Sequence, residues 1–362
     1  MSHKPAAANP CWEEVPPLVA VSVVVTAFRD STALRTCLGA VRREAAPLDA
    51  EVVLVLNAGI SDFAASSRLE LARLCDQMLF VAEVGKSHAL NAGVTACRGS
   101  VIAFTDDDAV PMPGWLRALT APLLEPTRPS HLLGTGGRVL PSFPETDTPR
   151  WFRELAEERL THFLGPRHDL GNHILEYRSR TEPPTGVPIG VNCAYRREVF
   201  SRYHYDTRLG PNRRSGLRGG EDWALGHQLL RDGYRMVYRP DALVHHPISP
   251  ERMTLPYVRQ GFFVNGVESI RIRELLGERK LSPFLMRLRI ARAQLVLWFA
   301  GMLQIERSQL RWMLKCDYQR GRLAECVGPR SAKSYHGAVE APQTVSSMLS
   351  LPEPGSRGTA VG

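Results

Sequence analysis

"VIAFTDDDAVPMPGW", residues 101–115, carries a run of apolar residues straight into Asp106, Asp107 and Asp108. Adjacent carboxylates raise one another's pKa values unless positive charge sits among them. A solvated turn is one use for such a run, because aspartate is common where strands end. A divalent cation is another, since it takes oxygen ligands and draws acidic side chains together. The pattern on either side decides between the two.

Upstream, strand-like and helix-like stretches alternate. "LVAVSVVVTAF" (18–28) is Val-rich and continuous, as in a strand buried on both faces. "STALRTCLGAVRRE" (31–44) then offers a Ser or Thr cap with Leu34, Leu38 and Val41 at helical spacing. "AEVVLVLN" (50–57), "MLFVAE" (78–83) and the 101–106 run are three more strands. "DFAASSRLELARLCDQ" (62–77) and "SHALNAGVTAC" (87–97) are the helices between them. This order predicts an α/β, Rossmann-type, mostly parallel sheet flanked by helices. Ligands of such sheets bind beyond the strand carboxyl ends. The three aspartates stand at such an end, which favours a functional role.

Downstream the pattern loosens. "GWLRALTAPLLEP" (114–126) reads as a helix and "LLGTGGRVLP" (132–141) as a strand. Residues 141–186 are irregular and rich in Pro, His and Arg, with one helix expected at "PRWFRELAEERLTHFL" (149–164). A long irregular segment in a regular domain usually serves function. "GGEDWALGHQLLRDGY" (219–234) is a capped helix with Leu225, Leu229 and Leu230 on its apolar face. "RMVYRPDALVHH" (235–246) predicts two short strands around Pro240.

Composition narrows the class. Hydrophobic residues make up 44% of the 362 and charged residues 23%, ordinary values for a folded chain with a sizeable core. A net charge of +8 suits anionic partners. The basic residues are scattered among acids rather than gathered with aromatics, so nucleic acid is not an expected partner. The seven cysteines form no C-x-x-C pair, which argues against a zinc site or disulfide framework and for a reducing, cytoplasmic setting. The N-terminal stretch lacks the apolar core of a signal peptide. The longest apolar run, Leu295 to Leu303, falls short of the roughly 20 residues that span a bilayer.

Five blocks in order carry a resemblance to a known family. "VSVVVTAFRD" (21–30), "GKSHALNAGVTACRGSVIAFTDDDAVPMPGWL" (85–116), "GVNCAYRREVF" (190–200), "RLGPNRRSGLRGGEDWALGHQLLRDGYRMVYRPDALVHH" (208–246) and "RQGFFVNG" (259–266) resemble the family 2 glycosyltransferases of GT-A fold. The resemblance implies a metal-dependent, inverting transfer of a sugar from a nucleotide-sugar donor to a hydroxyl acceptor, either carbohydrate or lipid-linked. It implies Mn²⁺ or Mg²⁺ held by Asp106, Asp108 and His246, with Asp107 beside them. Thr26, Phe28, Lys86 and Asn91 match donor-contacting positions. Asn57 stands where the family usually carries an acid, a departure that leaves uridine, thymidine and guanosine donors open. Asp222 matches the catalytic base, and Glu221 an acceptor anchor or alternative base. Both begin a helix, where backbone N–H groups favour anions.

The expected organisation is a loose leader (1–17), a GT-A domain (18–266), a basic helical extension (267–326) and a disordered tail (327–362). The domain divides into a nucleotide-sugar half near 18–125 and an acceptor half near 126–266. Between Arg271 and Arg292 seven basic residues face only Glu274 and Glu278, and Leu295, Trp298, Phe299 and Met302 follow at helical spacing. Basic then apolar suits peripheral contact with the inner face of a membrane, a helix pair packed on the catalytic domain, or a homodimer seam, through residues 271–314. Three other readings fit the sequence less well. Residues 106–110 also fit the D-x-D-x-[TV] of haloacid-dehalogenase-like phosphatases, but that motif ends a first strand and here three strand–helix units precede it. A sugar-phosphate nucleotidyltransferase needs a Gly-rich loop after the first strand, which "TAFRDST" lacks. A non-catalytic nucleotide-sugar-binding protein would not need acids at both "DDD" and "GED".

Overall fold

A computed structural model describes residues 19–144, 148–157, 169–178, 186–213, 215–303 and 306–328. The leader, most of the tail and the second half of the helix expected at 149–164 lie outside the described residues. The first part of the chain folds in the expected order: β1 (Val21–Ala27), α1 (Thr32–Ala45), β2 (Glu51–Leu56), α2 (Ala65–Ala72), β3 (Gln77–Phe80), α3 (Lys86–Ala96) and β4 (Val101–Asp106). Ser31 caps α1 by accepting from the Leu34 N–H at 3.1 Å, and Leu34, Leu38 and Val41 turn inward. Helix α2 is shorter than expected, because only Leu71 on it is buried and no side chain caps its start.

Then follow β5 (Val110–Pro111), α4 (Trp115–Leu124), β6 (Leu132–Ser142), α5 (Arg150–Glu157), β7 (Leu175–Glu176), β8 (Cys193–Arg196), α6 (Glu221–Arg231) and β9 (Arg235–Pro247). The nine strands of the described residues join one sheet, ordered β3-β2-β1-β4-β8-β6-β9-β5 with β7 on β9. Strand β8 runs antiparallel to both β4 and β6, and β6 runs parallel to β9. Strands β1, β2, β3, β4, β6 and β9 therefore all point one way, and their carboxyl ends form a common rim. The expected pair of strands around Pro240 is one strand with a break. Its register against β6 jumps from Arg239 to Leu243, so the proline, which has no N–H to give, falls where pairing is skipped.

Apolar side chains fill both faces of the sheet. Val23, Val25, Leu54 and Trp115 pack on the side of α1 and α4. Val24, Phe104, Tyr195 and Leu229 pack on the side of α3 and α6. Three long helices close the chain: α7 (Leu255–Leu275), α8 (Pro283–Met302) and α9 (Glu306–Val327). Helix α7 runs unbroken through the expected boundary at 266/267. It crosses α9 where a Cβ on Gly266 would fall 2.1 Å from the Tyr318 carbonyl, and one on Gly321 1.9 Å from that of Phe263. Only glycine lets two helix backbones meet so closely. Near this crossing Arg259 and Asp317 form a buried ion pair at 2.7 Å.

Candidate functional site

The rim of parallel carboxyl ends explains why distant residues converge. Asp106 ends β4 beside Thr26, its register partner on β1. His246 lies near the end of β9, level with Pro141 on β6. Asp108 sits in the turn between β4 and β5, and β5 pairs with β9 next to His245. His246 and His245 point to different partners, as alternation along a strand requires. His246 Nε2 lies 3.2 Å from Asp108 Oδ1, while His245 Nδ1 meets the Ser142 hydroxyl at 3.1 Å.

The chain supplies its own counter-charges to two of the three aspartates. Lys86, the first residue of α3, ion-pairs with Asp106. Arg252 Nη2 lies 3.0 Å from Asp108 Oδ2, opposite His246. Burial would raise the Asp108 pKa, but the hydrogen bond and charge of His246, with Arg252 and Lys86, hold it well below the usual carboxylate range. For Asp107 the pull of Lys86 and of a backbone hydrogen bond is outweighed. Burial, together with Asp108 and Asp106, pushes it up to about 7.

Of the three residues expected to hold a cation, Asp108 and His246 stand side by side. Two donor atoms bound at right angles to one small divalent ion stand about 3 Å apart, close to the Asp108–His246 separation of 3.2 Å. Carboxylate oxygen and imidazole nitrogen are also a suitable donor set for Mn²⁺. Asp106 is turned to Lys86 instead, and among the described residues no group of three or more His, Cys, Asp or Glu side chains is arranged as a metal site. Any cation there would be held by Asp108 and His246 and would take its remaining oxygens from a ligand.

Opposite the rim, Gly219 and Gly220 deliver α6. Gly220 has φ +94°, a left-handed conformation that a Cβ would strain, and it turns Glu221 and Asp222 inward at the helix start. Asp222 Oδ2 accepts from the Gly190 N–H at 2.8 Å and Oδ1 from the Trp223 N–H at 2.7 Å, which fixes the carboxylate's orientation. Burial raises its pKa, against the pull of these hydrogen bonds and of Lys86. Glu221 is 3% exposed, with Lys86 Nζ 3.9 Å from Oε1 and no hydrogen-bond partner for Oε2 among the described residues. Burial and Asp222 push it up to about 8, so near neutrality it is a carboxylic acid able to donate a hydrogen bond.

Lys86, Asp106, Glu221, Asp222 and His246 share the wall of a cavity of about 540 Å³. The other expected donor residues are placed differently. Phe28 is exposed at the mouth of β1, with the Arg213 guanidinium 3.7 Å above its ring. Asn57 spends its amide on backbone, donating to the Val81 and Glu83 carbonyls at 3.0 and 2.6 Å and accepting from the Gly85 N–H at 2.9 Å. Asn91 likewise bridges the N–H and C=O of Tyr205 at 3.0 and 2.9 Å. Neither asparagine lines the cavity. Both brace the loops that carry the site.

The helical region forms a wall of the same cavity. Asn265 and Glu268 of α7 and Lys315 and Gln319 of α9 line it. Asn265 falls within the RQGFFVNG block, and no motif marks the other three. Their only sequence signal is the helical period, which does not tell where a helix docks. Glu268 is buried, and its Oε1 accepts from the N–H groups of Arg218 and Gly219, both at 2.8 Å, so it holds the loop that presents Glu221. Burial pushes its pKa to about 7, above the ordinary 4.5, against the pull of those two N–H bonds. The folded state thus keeps a proton that the unfolded chain sheds near pH 4.5, and stability falls as pH rises toward 7. Glu268→Gln keeps a carbonyl for both N–H groups and removes the titration. Relative to this variant, the wild type is expected to lose up to about 3 kcal/mol between pH 5 and pH 8. Melting curves across that range check it, and parallel curves would return Glu268 to an ordinary carboxylate.

Among solved structures, a mannosyltransferase from Pyrobaculum calidifontis, in complex with GDP-Man and Mn²⁺, is 17% identical, with 90% of this chain and 81% of that chain covered at a TM-score of 0.48. The glucosyl-3-phosphoglycerate synthase of Mycobacterium tuberculosis, in complex with Mn²⁺, UDP-Glc and phosphoglyceric acid, is 14% identical. There the coverage is 73% and 81%, at a TM-score of 0.44. No curated protein matches the chain. The profile of the family described as "Glycosyltransferase like family 2" matches residues 16–261, more than half of the chain and the whole of the rim from β1 to His246. The chain belongs to that family and is a glycosyltransferase.

Proposed function

We propose that the protein moves a sugar from a nucleotide-sugar donor to a hydroxyl acceptor, with inversion at the anomeric carbon. The observation that supports this best is the single cavity bounded by Lys86 and Asp106 on the rim, by Glu221 and Asp222 at the start of α6, and by α7 and α9. The rim side suits the donor: Thr26 and Phe28 lie at the end of β1 for the nucleoside, and Lys86 offers a cation to the diphosphate. A divalent cation, Mn²⁺ or Mg²⁺, held by Asp108 and His246, would neutralise charge on the departing nucleoside diphosphate.

The acceptor enters between α6 and the helical wall. Asp222, fixed by two backbone N–H groups, takes the proton of the acceptor hydroxyl as it attacks the anomeric carbon. Glu221, protonated near neutrality, donates a hydrogen bond to the acceptor. Attack assisted by one carboxylate, with no carboxylate nucleophile in the scheme, inverts configuration in one displacement.

A panel of nucleotide sugars with Mn²⁺, Mg²⁺ or a chelator tests the reading, scored by nucleoside diphosphate release and by melting temperature. Release that needs the cation, and a melting rise with one donor class, are expected. A chelated protein that turns over at the same rate would overturn the metal's role. Failure of every nucleotide sugar to raise the melting temperature would overturn the donor reading.

A further inference from the structure

Helix α8 presents the large apolar surface that the catalytic reading leaves unused. Its inner face is narrow: Met286, Ala293 and Ala300, seven residues apart, are buried, and the Ala300 carbonyl accepts from Gln309 Nε2 of α9 at 3.1 Å. The opposite face is apolar and open to solvent. Phe284, Leu288, Leu295, Trp298, Phe299 and Met302 recur at the spacing that keeps one face of a helix, and all are exposed, Leu295 by 55% and Trp298 by 59%. Contiguous apolar patches of this kind mark interaction surfaces.

The charges say what covers it. Arg287 lies along one edge of the stripe and Arg292 along the other, with Arg289 further round. All three are exposed, and none is ion-paired among the described residues. Arg279 and Lys280 lie just before the helix. The sequence of α8, PFLMRLRIARAQLVLWFAGM, contains no Asp or Glu. Two copies packed stripe to stripe would bring arginine against arginine with no acid on either helix to compensate. Anionic headgroups supply the missing counter-charge, and the acyl boundary below them takes the aromatic and aliphatic stripe. Among the described residues no helix is long and apolar enough to cross a membrane, so α8 lies on the surface rather than through it.

We propose that α8 is an interfacial helix that docks the protein on an anionic lipid surface. Helix α9 packs on one side against α8 and on the other against α7, and α9 and α7 both line the catalytic cavity. Docking through α8 therefore places the helical wall of the cavity close to the bilayer. The proposal rests on the helix alone and holds whatever the donor is.

The test uses the full chain and sedimentation with vesicles of phosphatidylcholine, alone or with one-third phosphatidylglycerol. Binding to the anionic vesicles at low salt, weak binding to neutral ones and release at high salt are expected. Arg287→Gln/Arg289→Gln/Arg292→Gln should weaken binding roughly a hundredfold, because each basic residue near an anionic surface contributes about fivefold. Leu295→Asp/Phe299→Asp should abolish binding. All five side chains face solvent, so melting temperatures should match the wild type and separate lost docking from lost folding. A folded wild type that stays in the supernatant with anionic vesicles overturns the proposal, as does binding indifferent to both variants. A dimer by light scattering that Leu295→Asp/Phe299→Asp splits, with no vesicle binding, would assign the stripe to a second copy instead.

Discussion

Replacing Asp222 with Asn is expected to slow transfer roughly a thousandfold, with donor affinity changed no more than a few-fold. The substitution keeps the shape of the side chain and removes its proton acceptor. In the wild type both oxygens are engaged, one by the Gly190 N–H and one by the Trp223 N–H, so the carboxylate cannot swing away from the cavity. Asparagine satisfies one of these donors and opposes the other with its own NH₂, which costs about 1–3 kcal/mol. A melting curve separates that loss from the catalytic one. The pH profile adds a readout that misfolding does not mimic. Burial raises the Asp222 pKa, and a base works only when deprotonated, so wild-type turnover falls on the acid side as the carboxyl gains its proton. The residual rate of the Asn variant should lack that acid limb. Full activity in the variant would remove Asp222 from the mechanism.

The parts of this protein that follow from local pattern were legible in the sequence. Val-rich runs buried on both faces read as parallel strands, and the 3.6-residue spacing of Leu34, Leu38 and Val41 read as a helix packed on them. Because a parallel sheet gathers its carboxyl ends on one rim, the same pattern also placed Asp106, Asp108 and His246 near one another. What escaped is what depends on how far-off segments dock. Arg252 reaches Asp108 across 144 residues of chain, and no spacing rule marks it. Glu268, Lys315 and Gln319 became cavity residues only because α7 and α9 fold back over α6. At Asn57 and Asn91 residue type alone does not say which groups the amide meets. An amide that suits a ligand also suits unpaired backbone groups, and in both cases the backbone took it. The run of three aspartates combines both lessons. The sequence pointed to a cation as the neutraliser, and the fold had already placed Lys86, His246 and Arg252 around two of the acids, leaving Asp107 to be neutralised by its proton.

Lys86→Met should produce two opposed pH trends that a merely structural lysine would not. The ammonium is nearly buried, paired with Asp106 and 3.9 Å from Glu221. Burial alone would lower its pKa, but Asp106 and Glu221 more than offset that and raise it, so it stays charged at any working pH. Methionine fills similar space and removes the cation that pairs with Asp106 and lies beside the buried Glu221. Breaking such a cluster costs about 3–5 kcal/mol. The acids then hold their protons to higher pH than before, Glu221 above its present value of about 8 and Asp222 above its already raised one. Since groups with raised folded-state pKa values lose stability as pH climbs, the melting deficit of the variant should be small near pH 5 and large near pH 9. Turnover should move the other way, because the base is freed of its proton only at the higher pH, so the relative activity of the variant rises across the range in which its stability falls. Lys86→Arg, which keeps the charge on a bulkier head, should restore the pH profile more than the rate. A Lys86→Met enzyme whose activity is scaled down equally at every pH would show that the ammonium does not tune these carboxyls.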